Sequence, residues 1–261
     1  MTSMNNLSAF RAKLAAGKFC VGTTINLTDA TVSELAGEIG FDFTWIDMEH
    51  APLTIETALS HIVALRASGA APVVRVAWNQ QWLIKPILDL APAGIIVPMV
   101  NSAKEVVDAI AACRYPPKGV RGCGPRRGTR FGEVSFDEYV ADSENDPMVI
   151  VQFEHIEAYR HLDEILAIDE LESVCIGPSD FSGSMGHVND PFRPEIAAII
   201  DEAAAKIKAA GKFLGTGTFA SQENLAVWKR RGLDWAAVTS DWGCMVEGAK
   251  RAIDCTRDIF K

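Results

Sequence analysis

Short apolar runs rich in β-branched residues alternate along the whole chain with longer stretches of helical periodicity. Such alternation is the mark of strands joined by helices into a parallel sheet. The runs at 20–25, 43–46, 72–76, 94–97, 148–153, 173–176, 213–217 and 235–239 are predicted strands. Between them, 31–39, 55–67, 103–113, 194–210 and 221–231 repeat their apolar positions every three to four residues, and several open on a Ser, Thr or Asp cap. Gly40, Gly69, Gly211 and Gly232 each fall between a helical run and a strand, where a left-handed helix stop is expected. About eight strands close a (β/α)8 barrel. Leu7, Phe10 and Leu14 add a first helix that docks on it, although Arg11, Lys13 and Lys18, with no acid among them, weakly imitate a transit peptide.

Length agrees with one barrel, since such a domain takes about 250 residues and the chain has 261. A single α/β domain over residues 1–261 is expected. Residues 115–146, with Pro116-Pro117 and Arg121, Arg126, Arg127 and Arg130, are too long for an ordinary connection and read as a functional loop. Arg126, Arg127 and Arg130 suit an acidic substrate tail or a neighbouring subunit, or are solvated charge. A net charge of -9 opposes a general nucleic-acid surface, and no apolar stretch nears the roughly 20 residues of a membrane span. The six cysteines form no CxxC pair, so reduced thiols in a cytoplasm are the simplest reading.

Polar residues gather where the predicted strands end. Asp47, Glu49 and His50 follow the second, Arg75 lies in the third, Gln152 and Glu154 end the fifth, and Asp180 follows the sixth. The carboxyl ends of barrel strands are where such folds keep their chemistry. Glu154 and Asp180, a strand-helix unit apart, suit a hard divalent cation, or else a helix cap and an Asx turn. Arg75 in Pro-Val-Val-Arg-Val needs a carboxylate or an anionic ligand. His50 suits general acid/base work. Gly177-Pro178-Ser179-Asp180 either presents amides to an anion or is a plain turn. Gly215-Thr216-Gly217 lacks the later glycine and acid of a dinucleotide fingerprint.

Taken in order, Gly40-Phe41-Asp42-Phe43, Ile46-Asp47-Met48-Glu49-His50-Ala51-Pro52, Pro72-Val73-Val74-Arg75, Arg114-Tyr115-Pro116-Pro117-Lys118-Gly119-Val120-Arg121-Gly122, Gln152-Phe153-Glu154 and Ile176-Gly177-Pro178-Ser179-Asp180 resemble the HpcH/HpaI family of class II, metal-dependent 2-oxo acid aldolases. The resemblance implies a (β/α)8 barrel, usually a hexamer built as a trimer of dimers. It implies cleavage of a 4-hydroxy-2-oxo acid into pyruvate, or a related 2-oxo acid, and an aldehyde through a metal-bound enolate. By position Glu154 and Asp180 match the metal ligands, for Mg2+ or Mn2+ first and Co2+, Ni2+ or Zn2+ after them. Arg75 matches the enolate-stabilising arginine, His50 the catalytic histidine, and Asp47 and Asp89 the acids associated with it. Gln152 matches a substrate-side residue, and Gly177, Pro178 and Ser179 the turn that receives the pyruvyl carboxylate. Relatives often carry a tryptophan soon after the first-strand glycine, where this chain has Gly22-Thr23-Thr24. Other readings on the same scaffold are a 2-oxo acid decarboxylase, a CoA-ester lyase and a catalytically silent barrel.

Overall fold

The computed structural model describes residues 4–142 and 146–260, so Met1, part of the 115–146 segment and the single-domain expectation for 1–261 extend outside the described residues. Strands β1 (Cys20–Ile25), β2 (Phe43–Asp47), β3 (Ala71–Arg75), β4 (Gly94–Val97), β5 (Met148–Phe153), β6 (Ser173–Ile176), β7 (Phe213–Gly217) and β8 (Trp235–Ser240) pair in sequence order into a closed barrel. Every pairing is parallel, and β8 returns to β1. The helices among the described residues are α1 (Leu7–Ala15), α2 (Thr31–Glu38), α3 (Ile55–Ala64), α4 (Gln81–Leu88), α5 (Ala103–Cys113), α6 (Phe136–Ala141), α7 (Ile156–Arg160), α8 (Leu162–Leu166), α9 (Pro178–Ser184), α10 (Pro194–Ala209), α11 (Gln222–Arg230) and α12 (Asp241–Ile259).

The period of two divides each strand between two cores. One set, with Ile46, Val74, Ile95, Val149, Val151, Val174 and Leu214, packs against the surrounding helices. The other, with Phe43, Trp45, Val73, Ile96, Ile150, Cys175 and Trp235, fills the barrel itself, and α1 joins it through Leu7, Phe10 and Leu14. Asn6 Nδ2 donates to the Ala70 carbonyl just before β3 at 2.9 Å, so α1 stoppers the end where the strands begin. Large rings need room inside so narrow a barrel. A Cβ on Gly215 would lie 2.0 Å from the Trp235 ring, and one on Gly22 would lie 2.4 Å from Phe43, so glycine is what lets these rings pack across the interior. The expected helix stops at Gly40, Gly69, Gly211 and Gly232 all have positive φ.

The long segment after α5 holds more structure than a loop. Arg121 Nη2 donates to the Leu88 carbonyl at 3.0 Å and Arg127 Nη1 to the Leu90 carbonyl at 2.7 Å. Both side chains are buried, and they donate to carbonyls at and just past the end of α4, that of Leu88 also accepting the Ala91 amide. Arg127 is therefore a structural cap rather than a residue awaiting a substrate tail.

Candidate functional site

At the carboxyl ends of β2 and β3, Asp47 and Arg75 are register partners. Both point inward in the pleat, and the guanidinium meets the carboxylate as a fork, Nε to Oδ1 at 2.9 Å and Nη2 to Oδ2 at 2.6 Å. Nη1 turns to Glu49 Oε2 at 3.0 Å. The Asp47 carboxylate also accepts the Glu49 and His50 amides, at 3.0 and 3.3 Å, which folds the chain after β2 over the strand end. Burial alone would push the Asp47 carboxyl up, but the Arg75 hydrogen bonds and charge and the two amides outweigh it and hold it below the ordinary carboxylate range. Glu49 goes the other way, because burial and the charges of Asp47 and Asp180 outweigh Arg75 and His50.

Glu154 is buried one residue past β5. Its Oε1 accepts the Met99 amide at 2.7 Å, and Met99 is held at φ 53°, a conformation uncommon outside glycine, which aims that amide. Gln152 Nε2 donates to Oε2. Burial foremost, then Glu49 and Asp180, raises the Glu154 carboxyl to about 7 against the Met99 amide and Arg75. Gly177 lies close beside it, so that a Cβ there would sit 2.7 Å from Glu154 Oε2. Pro178 then opens α9, whose first amides lack intrahelical acceptors.

These elements enclose a cavity of about 190 Å³ lined by Thr24, Trp45, Arg75, Gln152, residues 176–180 and Gly217. Of the residues expected to act together, Arg75, Gln152, Gly177, Pro178, Ser179 and Asp180 thus line one space, with Asp47, Glu49 and Glu154 bonded to its walls. His50 stands at the rim with its side chain 63% exposed and Nε2 3.8 Å from Glu49 Oε2. Asp89 lies elsewhere in its contacts: it caps α4 and sits 3.8 Å from Arg121, and among the described residues it has no hydrogen bond to His50. Trp45, which sequence reasoning left as a strand core residue, is part of the cavity wall. Arg75 stacks over its ring at 5.0 Å.

The donor set suits a hard divalent ion. Beyond burial, the charges of Glu49 and Asp180 raise the proton affinity of Glu154, Asp180 with Asp47 does the same to Glu49, and Arg75 is the cation set against both. Gln152 Oε1 is a buried acceptor with no partner. Among the described residues no three His, Cys, Asp or Glu side chains form a metal cluster. A two-carboxylate site with the remaining positions left to water and substrate oxygens is how Mg2+ is commonly held.

Comparison with known proteins bears on the same residues. The profile of the HpcH/HpaI aldolase/citrate lyase family matches residues 22–250. A 4-hydroxy-2-oxo-heptane-1,7-dioate aldolase from Salmonella arizonae is 37% identical over 93% of this chain and 92% of its own. A hydroxypyruvate/pyruvate aldolase from Agrobacterium fabrum is 36% identical over 89% and 87%. Among solved structures, an HpcH/HpaI aldolase from Desulfitobacterium hafniense superposes with a TM-score of 0.87 at 25% identity, covering 95% of this chain and 96% of that one. The chain belongs to the HpcH/HpaI aldolase/citrate lyase family.

Proposed function

We propose that the protein is a class II aldolase, a carbon-carbon lyase that cleaves a 4-hydroxy-2-oxo acid to pyruvate, or a related 2-oxo acid, and an aldehyde with the help of a divalent cation. The observation that supports this reading is the gathering at one cavity of Asp180 and the buried guanidinium of Arg75 in its lining, with the buried carboxyl of Glu154 behind the Gln152 wall. Aldolase relatives at more than a third identity over nearly the whole chain support it. Glu154 and Asp180 would hold the ion, with Mg2+ or Mn2+ the best match to oxygen donors. When bound there, a divalent ion polarises the 2-oxo group and lowers the barrier to negative charge on C3.

The chain's own groups supply the rest. The amides of Ser179 and Asp180 receive the substrate carboxylate at the start of α9. Arg75, locked by Asp47 and Glu49 so that it needs no reorganisation, stabilises the charge that gathers on the 2-oxo oxygen as the C3–C4 bond breaks. His50 is the base at the rim that takes the C4 hydroxyl proton, Glu49 beside it stabilising the imidazolium. The electron pair of the O–H bond then becomes the aldehyde C=O, and the pair from C3–C4 becomes the enolate, which a proton returns to pyruvate.

Two broader points go with this reading. Six free cysteines accord with a cytoplasmic enzyme. A homo-oligomer, hexameric by analogy with the family, accords with α12, in which no residue is buried by its own chain.

The test is retro-aldol release of pyruvate from a 4-hydroxy-2-oxo acid, with EDTA abolishing activity, added Mg2+ or Mn2+ restoring it, and borohydride trapping nothing. Activity that survives EDTA and dies with borohydride would reverse the mechanism. Oxaloacetate decarboxylation with no aldehyde formed from any 4-hydroxy acid would replace the aldolase by a decarboxylase.

A further inference from the structure

Two phenyl groups on separate loops belong to neither core. Phe219, two residues past β7, is 83% exposed, and Phe192, two residues before α10, is 64% exposed. Apolar side chains scattered singly over a surface need no explanation, but these two line one cavity, of about 250 Å³, together with Trp228 of α11. The cavity's wall is built. Asn224 Nδ2 donates to Thr218 Oγ1 and to the Phe219 carbonyl, the latter at 3.1 Å, which pins the turn that carries Phe219. Ser179 Oγ donates to Asn189 Oδ1 at 3.0 Å, which ties the start of α9 to the loop before α10. This space adjoins the reaction cavity, since Pro178, Ser179 and Gly217 line both. Gly217 puts no side chain at the seam, and a Cβ there would meet nothing nearer than the Trp45 ring at 3.9 Å. Size gives the contiguity its meaning. The reaction cavity alone, about 190 Å³, falls short of the roughly 300–1,000 Å³ of small-molecule sites, and the two spaces together come within that range.

Charge decides what the second space can hold. Among the described residues, Arg231 is the one charged group that lines it. That guanidinium is already engaged: Nε donates to Asp201 Oδ1 at 2.6 Å, the group stacks 4.6 Å from the centre of the Trp228 ring, and the side chain is 7% exposed. A carboxylate entering here would shed its water and displace Asp201 to reach a cation whose charge is spent. A ring loses nothing on leaving water and meets phenyl and indole groups whose faces and edges attract it. We propose that this cavity receives the part of the substrate beyond C4, and that Phe219, Phe192 and Trp228 select an uncharged, ring-bearing aldehyde over one that ends in a carboxylate. The inference rests on the aldolase reading above and adds the chemical class of the aldehyde half. Phe219 is then a specificity-determining residue, and Asp201 acts through Arg231 by masking the one cation a second carboxylate could use.

The experiment uses the Mn2+-loaded full chain with pyruvate as donor. Propanal, 3-phenylpropanal and succinic semialdehyde serve as acceptors, because they share one aldehyde and differ only in whether the third carbon carries hydrogen, a phenyl or a carboxylate. Aldol formation followed by NMR gives kcat/KM for each in the wild type, Phe219→Ala and Asp201→Asn, and thermal melting reports folding. In the wild type the phenyl aldehyde is expected to exceed the semialdehyde by at least about tenfold. Phe219→Ala should lower the ratio of phenylpropanal to propanal by about tenfold, the size of one lost aromatic contact. Asp201→Asn unmasks Arg231 and should raise the ratio of semialdehyde to propanal by about tenfold. A wild type that treats the two alike, or that prefers the carboxylate, overturns the inference while leaving the aldolase standing. So does either variant whose ratio stays put, because the cavity then lies off the path of the aldehyde half. If pyruvate neither condenses with propanal nor exchanges its methyl protons into D2O, the aldolase reading fails and takes the inference with it.

Discussion

Arg75 and Asp47 meet as a two-pronged fork, at 2.9 and 2.6 Å, from facing positions on adjacent strands. The barrel register itself aims the guanidinium, and the fork holds it in place before any substrate arrives. Asp47 is 2% exposed and Arg75 8%, so removing either charge strands the other in a poorly solvated place. Asp47→Asn is expected to destabilise the fold by about 3 kcal/mol, at the lower end for a broken buried pair, read from the shift of a urea transition. The sign with pH follows from the lowered Asp47 carboxyl. The pair's contribution is complete above the unfolded value of about 3.9 and is lost as pH falls through the lower folded value. The variant should therefore show a flatter acid limb than the wild type, and an unchanged limb would count against the pair as a stability element.

Arg75→Lys separates charge from geometry. Lysine keeps a positive charge but has no planar fork, so it cannot hold Asp47, reach Glu49 and face the cavity together. Turnover should fall by about a hundredfold, the loss typical of a misplaced oxyanion donor, while divalent ion affinity, carried by Glu154 and Asp180, stays within a few fold. Equal losses in both would show that Arg75 organises the ion site rather than the reacting oxygen.

Ion binding at Glu154 should release a proton. Its carboxyl is raised to about 7, so the folded protein holds an extra proton between the unfolded value of about 4.3 and about pH 7. The resulting contribution to stability is complete below the unfolded value and is lost progressively as pH rises from there through 7. An ion needs the carboxylate, and below pH 7 its affinity should drop about tenfold per pH unit. Mn2+ titrations at pH 6 and pH 8, each in buffers of different ionisation heat, test this. Proton release should appear at pH 6 and vanish at pH 8, and Glu154→Gln or Asp180→Asn should abolish binding at both.

How much of this could be read from residue order depends on where each residue gets its partners. The strands are legible because alternating apolar residues and glycine stops act locally, and β1, β4, β5, β6 and β7 have the bounds that pattern predicts. Helix α4 is harder to see, since Pro86 interrupts its hydrogen-bonding pattern and arginines distant in sequence cap its end. Asp47, Arg75, Glu154 and Asp180 stand out as charges at strand ends. Glu49 as a second partner of Arg75 and Trp45 as a cavity wall do not, because both depend on barrel closure. Asp89 is placed by motif alone, and within this chain its charged neighbour is Arg121.

Gly177 offers a sharper test of the ion site than removing a ligand. An alanine Cβ would lie 2.7 Å from Glu154 Oε2 and 2.8 Å from Glu154 Cβ, closer than real contacts allow. Glu154 must then move, breaking its alignment with the Met99 amide. Because the glycine's φ of -97° suits any residue, the backbone itself is not strained. Gly177→Ala should therefore lose at least tenfold in Mn2+ affinity with a loss of about 1–3 kcal/mol in stability from overpacking. Retained affinity would place the ion away from Glu154.

Helix α12 predicts the state of assembly. Trp242, Met245, Val246, Ala249, Ala252 and Ile253 recur at intervals of three and four and fall on one side of a 19-residue helix. Yet Trp242 is 51% exposed, Met245 62% and Ile253 47%. The helix is tied to its barrel at its first residue, where Asp241 accepts the Asn26 and Leu27 amides at 2.8 Å each. An apolar stripe this regular on one chain is the pattern expected of a face covered by another copy. Fully burying one such side chain is worth about 1.5–3 kcal/mol, so a charge placed on the stripe is costly to the assembly and neutral to an isolated barrel. Ile253→Glu and Met245→Glu should each shift the mass measured by light scattering toward the monomer, with the barrel's circular dichroism unchanged. If the wild type is already monomeric at micromolar concentration, or if both variants keep its mass, the stripe has another occupant and the oligomer proposal is lost.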